Sequence, residues 1–227
     1  MTGMFEPMPA MLLAAGRGQR MRPLTDHLPK ALLEAGGKRL IEYHLLALAR
    51  AGIDDIVINT AHLGAMLREA LADGERYGVH IRYSDEGEQP LETAGGIANA
   101  LPLLGRKFLV VNADIWTDFE FGTLHAPETS LVHLVMVDNP EHHPHGDFVL
   151  RGGVLSNQPR HRLTYAGIGV FRAELFAGLD GGTAALAPLL RRATDSARAT
   201  GQHHQGNWLD VGTPQRLAQL RAQLAVD

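Results

Sequence analysis

Positive charge gathers beside a glycine turn near the start of this chain. The stretch "LLAAGRGQRMRPLTDHLPK", Leu12 to Lys30, passes from apolar residues into Gly16 and Gly18, then sets Arg17, Arg20, Arg22 and Lys30 among turn-forming residues. Backbone without side chains can approach a ligand closely and offer its amides to phosphate oxygens, while arginine and lysine neutralise them. Two acidic residues stand out elsewhere. Asp114 ends the apolar run of "FLVVNADIWTD", where a carboxylate is costly unless it is paired or holds a metal. Asp210, in "NWLDVGTPQRL", lies between Leu209 and Val211 just ahead of a helical pattern, so a capping or turn role is open to it.

What the chain lacks narrows its chemistry. None of the 227 residues is cysteine, which excludes disulfides, thiolate nucleophiles and cysteine metal sites and suits a reducing compartment. A formal net charge of -4 gives no general attraction to nucleic acid or to an anionic membrane, so a polyanion must be held by local arginines. The opening "MTGMFEPMPAMLLAAG" has no basic n-region, and no apolar run approaches the roughly 18 residues that span a bilayer. A cytoplasmic protein with small-molecule partners, and neither nucleic acid nor membrane among them, is expected. Nothing in the pattern fixes an oligomeric state.

Two known glycine patterns are ruled out. The dinucleotide fingerprint needs a third glycine where Met21 stands and an acidic residue ending the second strand, which instead ends in Asn59-Thr60. The Gly-Lys-Ser/Thr phosphate loop is absent. A triphosphate cradle and a solvated turn remain.

Short apolar runs alternate with helix-period segments across the first half, which predicts right-handed crossovers in a mainly parallel sheet of an α/β fold. In "RLIEYHLLALARAG" Ile41, Leu45 and Leu48 form one apolar stripe, and Ala51-Gly52 supplies a stop. After about residue 118 the texture changes. "SLVHLVMVDN", "GDFVLRGGVLSN" and "RLTYAGIGVF" predict antiparallel strands with glycine turns. "TPQRLAQLRAQLA" predicts a helix with Thr213 as cap, Pro214 in the first turn, and Leu217, Leu220 and Leu224 on its apolar face. One domain over residues 8–227 is expected, with residues 1–7 disordered and functional halves at about 8–118 and about 119–227.

The stretch "LAAGRGQRMRPLTDHLPK" resembles the signature of the sugar-phosphate nucleotidyltransferases, Leu-x-Ala-Gly-x-Gly-x-Arg-Leu-x-Pro-Leu-Thr followed by Pro-Lys. The resemblance implies a single-domain, Rossmann-like nucleotidyltransferase fold whose central sheet is flanked by helices and whose second half carries an antiparallel sugar-binding subregion. It implies that Ala14, Ala15 and Gly16 lie near the nucleoside, that Gly18, Gln19 and Arg20 lie near the phosphates, and that Lys30 contacts a phosphate. Gln19 stands where most of the family has threonine or serine, and Met21 replaces leucine without changing volume. "LETAGGIANAL" is similar to the element through which the family reads the base, which places Glu92, Thr93 and Gly95 at the nucleotide. "VNADIWTD" and "NWLDVGTPQ" are similar to the two segments whose aspartates hold Mg²⁺, here Asp114 and Asp210, with Asn112 beside the substrate. Two hard oxygen ligands suit Mg²⁺, because triphosphate and water supply the rest. Arg20 and Lys30 become the catalytic cations that offset charge on departing pyrophosphate.

"NPEHHPHGDF" brings His142, His143 and His145 together, but Pro144 disrupts any metal-ligand spacing, and a solvated or sugar-facing loop is expected. Asp118 is expected to be a turn residue. The same histidine segment, with "LETAGGI", "VNADIWTDFEF" and "HHQGNWLDVGT", is similar to one subgroup of the family, which transfers a uridylyl group from UTP to N-acetylmuramate 1-phosphate during peptidoglycan recycling in the cell wall. That resemblance puts Gly146 and Asp147 on the sugar and Tyr165, Ala166 and Gly167 along the acceptor side. Arg151, Arg160 and Arg162 are candidates for the lactyl carboxylate of muramate. Two alternatives stay open: transfer to glucose, mannose or heptose phosphate, and a nucleotide-sugar-binding module without catalysis.

Overall fold

Continuous apolar runs become strands with both faces covered, and residues of alternating parity on each strand feed two different cores. The computed structural model describes residues 8–87, 91–179 and 181–225; the end expected to be disordered, 1–7, lies outside the described residues. The first part contains β1 (Ala10–Leu13), β2 (Glu34–Ala35), β3 (Lys38–Arg39), α1 (Leu40–Arg50), β4 (Asp55–Thr60), α2 (Gly64–Leu71) and β5 (His80–Asp85). Next come α3 (Glu92–Leu104), β6 (Lys107–Asn112), β7 (Ile115–Thr117), β8 (Val132–Val137), β9 (Val149–Arg151), β10 (Val154–Ser156) and β11 (Thr164–Arg172). The chain closes with α4 (Leu186–Asp195), β12 (Ala199–His203), β13 (Trp208–Asp210) and α5 (Pro214–Leu224).

One sheet runs in the order β5-β4-β1-β6-β11-β8-β12-β10-β9. The four strands from β5 to β6 are parallel, β11 opposes both β6 and β8, and β10 opposes both β12 and β9. The second half departs from the expected antiparallel pattern at one place: β12 lies parallel to β8. Its sequence "ATGQH" has no apolar run to announce a strand, and it is held by the ladder to its neighbour. The sheet is therefore mixed but mainly parallel, with β11 and β10 alone running against the rest.

Leu12, Ile56, Ile58, Leu109 and Val111 face α1, whose Ile41, Leu45 and Leu48 are fully buried as its stripe predicts. Met11, Val57, Phe108 and Val110 face the other way, onto α3 and α4. A third, smaller cluster joins Met21 from the glycine loop to Val211, Leu217 and Leu220 near α5. Thr213 caps α5, its hydroxyl accepting from the Arg216 amide at 3.3 Å, with Pro214 in the first turn. No helix among the described residues is long and apolar enough to cross a membrane.

Candidate active site

The carboxyl ends of β1, β4 and β6 meet at one edge of the sheet, where open α/β sheets bind ligands. Asn59, ending β4, ties two of the surrounding segments together. Its Oδ1 accepts from the Ala14 amide at 2.7 Å, and its Nδ2 donates to Glu86 Oε1 at 2.6 Å. Glu86 Oε2 in turn accepts from the Leu91 amide at 3.0 Å, just ahead of α3. Between these segments lies a cavity of about 230 Å³, walled by Ala14, Ala15 and Gly16 on one side and Glu92 and Thr93 on the other. Asn59 and Glu86 also line it, and sequence reading missed both. The one signal for Asn59 was a polar residue at the end of a buried parallel strand.

Gly95 is not at that wall. It is buried in the first turn of α3, and a Cβ there would fall 2.2 Å from the Gly182 carbonyl oxygen. Its amide donates to the Ala184 carbonyl at 3.1 Å, so the glycine serves a close backbone crossing instead of offering a donor to a base.

Lys30 opens a short 3₁₀ turn, Lys30–Leu32, and points its ammonium into the junction of the cleft. Nζ lies 2.5 Å from Asp114 Oδ2. Asp114 occupies the two-residue link between β6 and β7, and β7 forms a separate two-stranded ribbon with β13. That ribbon pairs Asp210 with Ile115, and the Val211 amide donates to the Asp114 carbonyl at 2.9 Å. Two carboxylates 96 positions apart in the numbering (210 minus 114) thus line one cavity of about 410 Å³, together with Arg20, His142 and His143. Asp210 Oδ2 is 3.1 Å from Arg216 Nη1 and 3.5 Å from His142 Nε2.

Arg20 is exposed at this cavity and makes no hydrogen bond or ion pair among the described residues. Gly18 and Gln19 are not on the cavity walls. Gly18 caps the turn Gln19–Met21 and its carbonyl accepts from the Thr25 hydroxyl at 2.8 Å, while Gln19 is exposed.

A third cavity, of about 480 Å³, extends past Asp147 and Tyr165. Asp147 Oδ2 accepts from the Tyr165 amide at 2.8 Å, and Oδ1 lies 3.1 Å from His143 Nε2. Burial, reinforced by Asp147, pushes the Tyr165 hydroxyl far above its ordinary range, so it stays protonated. Ala166 is buried with its carbonyl accepting from Trp208 Nε1 at 2.9 Å. Gly167 lies on a bulge in β11 at φ 77°, and a Cβ there would stand 2.7 Å from Asn112 Nδ2. Gly146 sits in a turn against Asn139 and Arg162, away from the cavity walls. Asn112 lines all three cavities, which makes them one cleft.

Residues 9–149, more than half of the chain, match the family described as nucleotidyl transferase. The chain belongs to that family. It is 50% identical to an N-acetylmuramate alpha-1-phosphate uridylyltransferase of Neisseria meningitidis serogroup B, across 95% of this chain and 97% of the relative. A second protein of that name, from Caulobacter vibrioides, is 36% identical across 96% and 98%. A solved structure from Bacillus anthracis, described as a glucose-1-phosphate thymidylyltransferase in complex with sucrose, has the same fold at 18% identity, with a TM-score of 0.83 over 96% of this chain and 95% of that one.

In this nucleotidyl transferase Asp210 and His142 are also held by Arg216, which sequence reading passed over. It stands in the first turn of α5, six residues after Asp210, and its Nη1 reaches both Asp210 and His142 Nε2, the latter at 2.6 Å. Asp118, expected in a turn, lies instead in the irregular segment just after β7, where it braces the chain. Burial works against its charged form, but hydrogen bonds from the Asn207 amide and side chain and the neighbouring His204 outweigh it and lower its pKa. The residues that could hold a divalent cation are Asp114 and Asp210, and no group of three or more His, Asp and Glu suited to a metal occurs among the described residues. A pair of hard carboxylates that leaves most ligand positions to a triphosphate and water is a donor set that fits Mg²⁺.

Proposed function

We propose that this chain transfers the uridylyl group of UTP to the phosphate of N-acetylmuramate α-1-phosphate, giving UDP-N-acetylmuramate and pyrophosphate. The observation that carries the reading is the single cleft in which a cavity at the strand ends, the Lys30–Asp114 pair, and an acceptor cavity follow one another through Asn112. The full-length likeness to the Neisseria and Caulobacter proteins supports UTP and muramate as the substrates.

In this reading Ala14, Ala15, Gly16, Glu92 and Thr93 enclose the nucleoside, and Arg20 and Lys30 face the phosphates from Gly18 and Gln19 inward. Asp147, Tyr165, Ala166 and Gly167 shape the sugar side. Residues 8–118 and 119–227 then divide the labour between nucleotide and sugar phosphate. The attacking phosphate oxygen is already anionic near neutral pH, so no general base or covalent nucleophile is required. An oxygen of the sugar phosphate bonds to the α-phosphorus of UTP, the bond from that phosphorus to the bridging oxygen breaks, and pyrophosphate leaves with the electron pair. The protein's task is alignment and neutralisation of charge. Asp114 and Asp210 would hold Mg²⁺, whose charge, when bound, draws the two phosphate groups together. Lys30 and Arg20 offset charge on the leaving group.

The place of the reaction is cell-wall recycling in the cytoplasm. Five nucleoside triphosphates assayed against several sugar 1-phosphates with Mg²⁺, following pyrophosphate release, test the reading. Turnover is expected with UTP and N-acetylmuramate 1-phosphate. Preference for a glucose, mannose or heptose phosphate would move the chain to another branch of the family, and UTP binding without turnover would make it a binding module.

A further inference from the structure

The third cavity carries a feature that a neutral sugar would not need. Along α4 it is walled by Leu186, Ala187, Leu190 and Arg191, and Arg191 is the one cation among its lining residues. The Arg191 guanidinium makes no hydrogen bond or ion pair among the described residues. Its neighbour one turn on, Asp195, is engaged by Asn157 Nδ2 at 2.7 Å, and Asn157 also holds the Arg191 carbonyl at 3.1 Å, so the helix is pinned while the side chain is left available.

The rest of the lining has the complementary character. Asp147 and Glu92 belong to it, and both oxygens of Asp147 are occupied, by the Tyr165 amide and by His143. An acidic sugar entering between two carboxylates is repelled unless a cation receives its own acid group. Arginine matches a carboxylate with two parallel donors, and the apolar surface of Leu186, Ala187 and Leu190 accommodates a methyl group beside it.

We propose that Arg191 is the residue that selects an acidic sugar, by pairing with the carboxylate of the lactyl ether of N-acetylmuramate 1-phosphate. This rests on the function proposed above. Arg151, Arg160 and Arg162, the arginines that sequence alone offered for this task, do not line the cavity. Arg162 is instead committed to the carbonyls of Gln158 and Asn157, at 2.6 and 2.8 Å.

The test compares N-acetylmuramate 1-phosphate with N-acetylglucosamine 1-phosphate, the same sugar without the lactyl ether, in the wild-type protein and in Arg191→Ala, Arg191→Lys and Arg191→Glu. Arg191→Ala is expected to raise KM for the muramate substrate ten- to hundredfold with kcat changed far less, and to leave kcat/KM for the glucosamine substrate within twofold. Arg191→Lys should recover part of the loss, and Arg191→Glu should deepen it. Thermal midpoints should stay within two degrees or so across the series, since the side chain is exposed. An unchanged ratio of the two kcat/KM values in Arg191→Ala overturns the assignment while leaving the function standing. A wild-type protein that turns over no sugar 1-phosphate with UTP overturns the function, and the assignment with it.

Discussion

Lys30 Nζ and Asp114 Oδ2 stand 2.5 Å apart, with the lysine side chain 11% exposed, and Asp114 lines both the cavity at the strand ends and the one that holds Asp210. The pair ties the segment after the glycine loop to the link that follows β6, and in the proposed reaction the ammonium faces the departing pyrophosphate. Lys30→Ala is expected to lower kcat by about a hundredfold or more, about 3 kcal/mol of transition-state stabilisation. Steady-state pyrophosphate release measures it, and a loss under threefold would reduce Lys30 to a structural partner of Asp114.

Asp210 depends on Arg216 as Asp114 depends on Lys30. The Arg216 side chain is 13% exposed, and it spans Asp210 and His142 from the start of α5. Arg216→Ala should cut kcat/KM at least tenfold. Arg216→Lys should recover little, because Nη1 reaches both Asp210 and His142 from the start of α5 and a shorter, flexible ammonium does not hold that position. Full recovery by lysine would show that charge alone is needed there.

The two carboxylates should act as a unit. Asp114→Asn and Asp210→Asn are each expected to cost about a hundredfold or more in kcat, and the double variant little beyond the worse single one, as for groups that work together. Mn²⁺ binding followed by electron paramagnetic resonance in the presence of UTP should weaken in both single variants. Undiminished binding in either would remove that residue from the metal assignment.

Gly167 is held by its conformation and by its neighbour. At φ 77°, with Asn112 Nδ2 at 2.7 Å from where a Cβ would be, Gly167→Ala should destabilise the protein by about 1–3 kcal/mol and displace Asn112. Urea denaturation reads the first effect and KM for the sugar phosphate the second. A neutral outcome in both would mean that the bulge in β11 relaxes freely.

Stability should fall on the acid side. Burial pushes the His44 imidazole down to about 4, against its hydrogen bond to the Ile115 carbonyl and the nearby Asp114, and burial likewise lowers His133 despite its hydrogen bond to Gln202. The unfolded chain takes up these protons near pH 6.5, the folded one only at lower pH, so the stabilisation is complete above about 6.5 and is lost as pH falls toward about 4. His44→Gln should flatten that part of a thermal-midpoint profile. A profile with unchanged slope between pH 6.5 and 4 would count against a neutral buried imidazole.

Much of the site was legible because its residues fall inside long local patterns. The apolar run into Gly16, the aspartate just after β6, and Thr213-Pro214 opening α5 each carry a signal within a few residues. Glu86, Arg191 and Arg216 carry none and Asn59 only its polar place near the end of a buried strand, since each acquires its role only when distant segments pack: Asn59 by reaching Ala14, Arg216 by reaching back to Asp210. Gly95 misled in the opposite direction. Its glycine pattern suggested an approach point for a ligand, and the approaching group is the backbone at Gly182. The strand β12 escaped notice for a related reason, because a polar segment sheltered by β8 needs no alternation of its own.

The cluster of Met21, Val211, Leu217 and Leu220 joins the two extremes of the described chain, and Arg221 adds a hydrogen bond from α5 to the Glu34 carbonyl at 2.8 Å. On the ribosome, β1 and the glycine loop emerge early while α5 emerges after every other described element. Met21 therefore has no seat until α5 has been made. A nascent chain has the letters of the glycine loop long before it has the wall that Met21 packs against, so the loop's packing is completed only when α5 docks.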